Sequence, residues 1–271
     1  MIPLNHDRRG AVIPLTFRGA NQEKRELALL QAEQTGKKKL KSSQWKGAKP
    51  QLRQESHLKC AYCDAPAASV AHCDVEHYRP KGIYWWLALC YDNYLYACQI
   101  CNQVHKGDRF PVGQPRLTGP AVTGLPEAAL QALVGTFAPD PLDTAALQVH
   151  HALWAAEMPQ ALNPYLTDPE LLFAYSANSD LKELIILPDA GASSADQKVA
   201  QVSIDLYGLN REELCRQRYL TYEILELAHL GLRAAPTNTH LLRMLEKHVS
   251  PAFPFSGMSR YFVRRVWRYT L

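Results

Sequence analysis

The chain has 271 residues, of which 47% are hydrophobic and 21% are charged, the composition of an ordinary globular protein with room for a substantial core. Its formal net charge is +4, and no stretch is apolar enough to span a bilayer. Residues 1–18 lack the charged-then-apolar layout of a signal peptide. We therefore expect a cytoplasmic protein with no membrane partner.

The N-terminal segment, residues 1–58, is predicted to begin irregularly and to continue as helices. Asn21 can cap a helix over residues 22–34, which Gly36 would end. A second helix is predicted over residues 51–58, directly before the first cysteine pair.

Positive charge is concentrated in residues 35–59. Eight side chains in this stretch are basic and one is acidic, so it carries +7 and the rest of the chain sums to −3. A basic segment that leads into a metal module is typical of an approach for nucleic-acid phosphates. A solvated lysine-rich linker would have the same composition.

Two cysteine pairs form the most specific motif of the chain. Cys60-Ala-Tyr-Cys63 and Cys98-Gln-Ile-Cys101 both have the spacing of a four-sulfur zinc site. The total of seven cysteines is odd, and in a reducing compartment this favours metal binding over disulfides. Four thiolates leave zinc no open coordination position, so the predicted Zn²⁺ is structural. The other cysteines are predicted to be free thiols of the core: Cys73, Cys90 and Cys215.

An acid–histidine pair lies between the two cysteine pairs. In a strand, Glu76 and His77 would point to opposite sides of the backbone, so that one could bind a metal while the other activates water. Neutral imidazole can accept a proton from water near physiological pH, and carboxylate oxygens suit Mg²⁺ or Mn²⁺. A lone histidine is more often a surface or core residue, but this position favours a catalytic interpretation.

Two asparagines and four basic side chains complete the candidate site. Asn93 can fasten the histidine loop through its amide, and the Asn102 amide oxygen can face the same metal as Glu76. The alternatives are a turn residue for Asn93 and a helix cap for Asn102. The side chains predicted to hold the substrate phosphates are Arg79, Lys81, Lys106 and Arg109.

Beyond the module, a proline- and glycine-rich stretch over residues 110–126 predicts a boundary loop. Helices are predicted over residues 127–134 and 144–156, and short strands over residues 172–175 and 184–187.

Two more helices are predicted toward the C-terminus. Asn210 would cap the first, with Glu213 at its third helical position. The second would run from Ser259 to Tyr269 with an arginine-rich face, which could bind phosphates or remain solvated.

These elements predict an α+β fold that is predominantly α-helical. Residues 1–58 would form a helical and basic segment, and residues 59–111 a small zinc-stabilised module embedded in the protein. Residues 112–271 would form a mainly helical region that binds a partner or the substrate.

The module resembles the HNH (ββα-metal) nuclease superfamily. The first motif matches as Glu76-His77, the second as Asn93 and the third as Asn102. The commonest pattern has histidine at the third position. The asparagine variant also occurs in the HNH domain of RNA-guided nucleases, and it favours an oxygen-coordinated Mg²⁺.

Longer matches point to one subgroup of that superfamily. They are Lys59-Cys60-Ala-Tyr-Cys63, Val75-Glu-His-Tyr-Arg-Pro-Lys81, Cys98-Gln-Ile-Cys-Asn102, Leu162-Asn-Pro-Tyr165 and Leu209-Asn-Arg211. These segments resemble the PtuB-like HNH component of Septu-type and retron-associated anti-phage systems. The resemblance implies a PtuA-like ABC-type ATPase as partner, and in retron systems a reverse transcriptase with its non-coding RNA. The chain itself has no phosphate-binding loop of the G-x-x-x-x-G-K-[ST] type.

The resemblance also implies a mechanism, which is metal-assisted hydrolysis of a phosphodiester. His77 would deprotonate the attacking water, Glu76 and Asn102 would hold one Mg²⁺ or Mn²⁺, and Asn93 would orient His77. DNA is the expected substrate. The sequence leaves open an RNase that uses the same site on structured RNA such as tRNA, and a non-catalytic zinc adaptor.

Overall fold

The regular structure of the described residues is mostly α-helical, with two small antiparallel sheets, in agreement with the predicted fold class. The computed structural model describes residues 1–66 and 73–271; residues 67–72 of the predicted module lie outside the described residues. The helices are α1 (Gly19–Gln34), α2 (Lys49–Glu55), α3 (Glu127–Leu133), α4 (Thr144–Ala155), α5 (Ser194–Leu206), α6 (Glu212–Ala234), α7 (Thr239–Val249) and α8 (Ser256–Arg260), with π-helices at Ile100–Lys106 and Tyr261–Val266. The strands are β1 (Cys73–His77), β2 (Tyr94–Cys98), β3 (Phe173–Asn178) and β4 (Glu183–Pro188).

The first hairpin carries the acid–histidine pair. Strands β1 and β2 are antiparallel, with Cys73 opposite Cys98 and His77 opposite Tyr94. Every residue of β2 is buried. A strand that is covered on both faces is expected to have an unbroken apolar sequence, and β2 has one. The π-helix Ile100–Lys106, here called the site helix, follows almost at once. The order along the chain is strand, strand, helix.

The second hairpin confirms the two short strands predicted in the C-terminal half. Strand β4 alternates, with Leu184 and Ile186 buried and Ile185 and Leu187 exposed. This is the pattern of a sheet with one face on the core and one face in water. The buried face packs against α5 and α6.

Helix ends differ from the predictions in the N-terminal segment. Helix α1 begins at Gly19, so Asn21 lies inside the helix and does not cap it. Helix α2 ends at Glu55, earlier than predicted, because His57 and Leu58 have φ of 53° and 64°. Such angles cannot continue a right-handed helix.

Two C-terminal predictions also need correction. Asn210 does not cap α6; its amide accepts a hydrogen bond from the Ile186 N–H and donates one to the Ile186 carbonyl, each 2.8 Å long. The last helical stretch begins at Ser256 and ends at Val266, and two of its arginines form ion pairs. These pairs are Arg260–Glu170 and Arg265–Asp189.

A single cluster of buried apolar side chains includes members of all three predicted segments, among them Phe17, Tyr94 and Leu225. The Tyr62 and Tyr207 rings stack at 3.9 Å and join the module to the C-terminal region. The free thiols Cys73, Cys90 and Cys215 are buried, as predicted. None of the helices in the described part of the chain is long and apolar enough to cross a membrane.

Candidate metal centre and adjoining cleft

The four motif cysteines converge on one point. The sulfurs of Cys60, Cys63, Cys98 and Cys101 lie within 4.8 Å of one another, and all four residues are buried. The Cys98 N–H donates to Cys60 Sγ at 3.3 Å and the Cys101 N–H donates to Cys98 Sγ at 3.5 Å. Backbone donors of this kind stabilise thiolates. The cysteines are therefore positioned to bind a metal, and an all-sulfur set suits structural Zn²⁺.

Arg211, at the start of α6, contacts this centre. Its Nη1 donates to Cys101 Sγ at 3.5 Å and to the Gly208 carbonyl at 3.0 Å. Burial lowers the pKa of Arg211, but attraction to the cysteine sulfurs outweighs burial and raises it. The guanidinium thus offsets negative charge on the thiolates and links the centre to the helical half.

A cleft of about 550 Å³ adjoins the hairpin. Its lining comes from residues 42–49, from β1, from Pro80 and Lys81, and from residues 102–108. The cleft brings together four of the predicted site residues. They are Glu76, His77, Lys81 and Asn102.

The His77 ring is buried and oriented by a hydrogen bond. Its Nε2 lies 3.0 Å from the Ala88 carbonyl oxygen, which can only accept, so Nε2 carries the proton. Nδ1 is then the nitrogen that is left to accept a proton. Burial lowers the pKa of His77 to about 3, so the imidazole is neutral at physiological pH. The ring is therefore uncharged, and Nδ1 has a lone pair that can accept a proton.

The Asn93 side chain fastens the backbone that follows His77. Its Oδ1 accepts from the Arg79 N–H at 2.8 Å, and its Nδ2 donates to the carbonyls of Arg79 and Leu87 at 3.0 and 3.2 Å. These bonds join the loop after β1 to the turn that presents Ala88. Asn93 does not line the cleft, so it can act on His77 only through the backbone.

Glu76 forms an ion pair at the base of the cleft. Its Oε1 lies 2.6 Å from Lys106 Nζ, and Lys106 also donates to the His77 carbonyl at 3.0 Å. Burial raises the pKa of Glu76, and the Lys106 ammonium offsets part of that increase. Lys106, which the sequence predicts as a phosphate contact, is 1% exposed and does not line the cleft. It is the partner of Glu76.

Arg79 and Arg109 also lie away from the cleft. Arg79 is buried and its Nε donates to Glu157 Oε2 at 2.9 Å. Arg109 is exposed beside Leu206, in a separate surface depression. Of the four predicted phosphate contacts, Lys81 alone lines the cleft.

Several residues that line the cleft are not among those predicted from the sequence. Asp74 Oδ2 accepts from Gln103 Nε2 at 2.7 Å and from Asn102 Nδ2 at 3.5 Å, which leaves the Asn102 oxygen available to a cation. Asp74 precedes Glu76 by two positions in β1, and the period of two in a strand is a signal that could have found it. The other missed residues include Trp45, Lys46, Lys49 and Asp108.

Comparison with known proteins gives one partial similarity. No protein-family model matches the chain. Septu protein PtuB of Bacillus mycoides (strain KBAB4) is 35% identical over 74 residues, an alignment that covers 22% of this chain and 25% of that protein. The match thus spans a quarter of the relative's own length. It supports a Septu-like relationship for that part of the chain.

Proposed function

We propose that this chain is a metal-dependent HNH endonuclease that hydrolyses phosphodiester bonds of nucleic acids. The observation that carries the proposal is the cleft, where a neutral His77 with Nε2 fixed by Ala88 lies beside the Glu76 carboxylate and the Asn102 amide. The strand–strand–helix order of the hairpin and the adjacent cysteine centre support the resemblance to the ββα-metal module. A zinc adaptor would need the cysteines but not this cleft.

The cleft fits a hard divalent cation. Glu76, Asp74 and Asn102 offer oxygen ligands, the kind that Mg²⁺ and Mn²⁺ prefer. Glu76 Oε1 is already paired with the Lys106 ammonium at 2.6 Å, so a bound ion would share this carboxylate with Lys106. We propose Glu76 and Asn102 as the ligands, with Asp74 as a third. When bound, such an ion supplies stabilisation of negative charge on the phosphate and the leaving oxygen.

His77 acts as the general base. Nδ1 takes a proton from the water that attacks phosphorus, while the Ala88 carbonyl holds Nε2 and keeps the tautomer fixed. As the ring becomes cationic, the same carbonyl dipole stabilises it. Asn93 maintains this geometry through the backbone of Arg79 and Leu87.

Three lysines are the phosphate contacts that we propose, and one of them, Lys81, is also predicted by the sequence. Lys46, Lys49 and Lys81 line the cleft, and within residues 1–66 and 73–271 none of them forms an ion pair. Ammonium groups that have no protein counter-ion are available to nucleic-acid phosphates. The basic segment of the sequence therefore contributes to the site through Lys46 and Lys49.

The similarity to Septu PtuB supports a biological role, which we propose as the DNA-cutting effector of an anti-phage defence system. A PtuA-like ABC-type ATPase would be its partner, and in retron systems a reverse transcriptase with its RNA would join them. Residues 112–271 would provide the partner surface. An exposed apolar face on α6, formed by Leu220, Ile224, Leu227 and Leu230, supports this assignment because exposed apolar patches mark interaction sites.

Cleavage assays with plasmid DNA and total RNA, each with and without Mg²⁺ or Mn²⁺, test the proposal. We expect metal-dependent cutting of DNA that disappears in His77→Ala. Cutting of RNA alone would redirect the proposal to an RNase effector. If the chain neither co-elutes with a PtuA-like ATPase nor changes activity with that ATPase and ATP, the partnership is wrong.

A further inference from the structure

We propose that Trp45, which lies outside the hairpin and the site helix, is a positioning residue for His77. The inference rests on the proposed function of the cleft and deepens it. It gives the segment of residues 42–49, here called the N-terminal wall, a role in aiming the general base.

Two aromatic rings hold the imidazole. The Trp45 ring lies 4.8 Å from the His77 ring at an interplanar angle of 88°, and the Tyr94 ring lies 5.1 Å away at 82°. Edge-to-face contacts of this kind favour one orientation of each ring. Together with the Nε2 bond to Ala88, they restrict rotation of the imidazole about its side-chain bonds. Tyr94 comes from β2, whereas Trp45 comes from the N-terminal wall.

Trp45 is itself held in place by short-range contacts. Trp45 is 8% exposed. Its backbone N–H donates to the Ser42 carbonyl at 3.2 Å, and its backbone carbonyl accepts from the Ala48 N–H at 2.9 Å. Arg25 of α1 donates to the carbonyls of Gln44 and Thr16, which ties the wall to α1. The backbone of Trp45 is therefore held within the N-terminal segment, while its ring packs against His77 of the hairpin.

Lys81 connects Trp45 to the substrate side of the cleft. Its Nζ lies 5.6 Å from the centre of the Trp45 ring, within range of a cation–π contact, and both residues line the cleft. One tryptophan thus contacts both the proposed base and a proposed phosphate ligand. Loss of this ring would let the imidazole rotate, and misplacement of a reacting group by about 1 Å costs roughly 100-fold in rate.

The test compares Trp45→Phe, which keeps an edge-to-face ring, with Trp45→Leu, which does not. We expect Trp45→Phe to retain kcat within about threefold and Trp45→Leu to lose roughly 10- to 100-fold in kcat with KM within twofold. Zinc content should equal that of the wild type in both. Trp86→Leu is the matched control, because Trp86 is also buried but contacts Tyr84 and Trp85. It should retain kcat.

Wild-type kcat in Trp45→Leu would overturn the proposal. So would a rise in KM alone, since that would make Trp45 a substrate contact. If Trp45→Leu does not unfold cooperatively, Trp45→Met replaces it, because methionine fills more of the same volume.

A second measurement does not depend on activity. Long-range ¹H–¹⁵N spectra of the histidine rings, with His77 identified by comparison with His77→Gln, report the tautomer directly. We expect a single Nε2–H tautomer in the wild type and in Trp45→Phe, and mixed tautomers in Trp45→Leu. If the tautomers follow this pattern but the protein cleaves no nucleic acid, the proposed function is wrong and the positioning role of Trp45 stands. One tautomer in all three proteins would overturn the positioning role.

Discussion

Charged side chains at the cleft differ in what surrounds them, and this decides what each can do. Lys106 is buried against Glu76, whereas Lys46, Lys49 and Lys81 line the open cleft. The Lys106 ammonium lies 2.6 Å from the Glu76 carboxylate. If Lys106 turned toward the substrate, Glu76 would become an unpaired buried charge, which is costly in free energy. The cleft lysines have no such partner among the described residues and can bind phosphate without that cost.

Substitution of the cleft lysines should weaken substrate binding with little effect on the chemical step. We expect Lys46→Ala and Lys49→Ala each to raise KM roughly fivefold, about 1 kcal/mol, and to reduce the slope of log K against log salt by about 0.9. Lys37→Ala is the matched control, because Lys37 is exposed in the same basic segment but does not line the cleft. Titration of fluorescent DNA at several salt concentrations measures the effect. Equal changes in all three variants would show that only the net charge matters.

Glu26 should make the stability of the protein depend on pH. Burial in α1 raises its pKa from 4.5 to about 7, although the Gly135 N–H donates to it at 2.9 Å. Between pH 4.5 and pH 7 the Glu26 carboxyl is ionised in the unfolded chain but still protonated in the folded chain. The free energy of unfolding therefore falls as pH rises through this range, by about 3 kcal/mol in total. Glu26→Gln should remove this loss, because glutamine cannot ionise. Urea unfolding at pH 4.5 and pH 8 measures it.

For Glu26→Gln, the gain over the wild type should be present at pH 8 and nearly absent at pH 4.5. The control is Glu246→Gln, an exposed position away from the first turn of its helix, which should show little pH-dependent difference. A constant difference at both pH values would contradict the assignment to Glu26.

At the residue scale, the sequence spacing of the motifs predicts which side chains lie close together, but it does not predict which of them form ion pairs. The C-x-x-C pairs and the Glu76-His77 dipeptide lie within one short stretch, so local geometry is enough to bring them together. The sequence predicts Arg79 as a phosphate contact because it is basic and close to His77. Its partner Glu157 is 78 residues away, and no local pattern indicates such a contact.

At the element scale, the hairpin and the site helix are joined by the cysteine centre. Cys98 ends β2 and Cys101 lies in the site helix, so a bound metal would fix the angle between them. Small modules of this kind depend on a metal for part of their folding free energy. The centre also contacts Arg211 of the helical half.

Loss of one motif cysteine should release the metal and destabilise the chain. We expect Cys98→Ser to lose bound zinc and to lower Tm by more than about 10 °C, since three thiolates bind zinc far more weakly than four. Cys215→Ser is the control, because Cys215 is a buried thiol outside the cluster. Zinc analysis by mass spectrometry and thermal unfolding check both. A Cys98→Ser protein with full zinc content would refute the four-sulfur site.

The existence of elements was easier to predict than their ends. Strands β3 and β4 and helices α3 and α4 lie where periodicity placed them. Asn21 and Asn210 were both interpreted as caps, yet one lies inside a helix and the other bonds to β4. An asparagine satisfies whichever backbone group the tertiary structure brings near, so its sequence position alone does not settle its partner.

At the scale of the whole molecule, Glu157 joins the loop after α4 to the hairpin region. It accepts from Arg79 Nε at 2.9 Å, from Tyr84 Oη at 2.6 Å and from the Leu117 N–H at 2.8 Å. These contacts unite the predicted module and the predicted C-terminal region around one buried carboxylate. A shared apolar core reinforces them.

Neutralising Glu157 should destabilise the whole protein. Glu157→Gln leaves the buried guanidinium of Arg79 uncompensated, which costs about 3–5 kcal/mol. The free energy of unfolding from urea titration measures this loss. Glu246→Gln, on the exposed side of α7, should change stability by less than about 0.5 kcal/mol. A loss below about 1 kcal/mol in Glu157→Gln would show that the ion pair does not join the two regions.

The proposed nuclease activity is tested most directly by cleavage of plasmid DNA by wild type and His77→Ala, with and without Mg²⁺ or Mn²⁺, alone and with a PtuA-like ATPase and ATP. We expect metal-dependent cutting by the wild type and a loss of roughly two to four orders of magnitude in His77→Ala, with zinc content unchanged. Equal cutting by the two proteins would contradict the role of His77. No cutting of DNA or RNA under any of these conditions would contradict the nuclease itself and leave a zinc-stabilised adaptor.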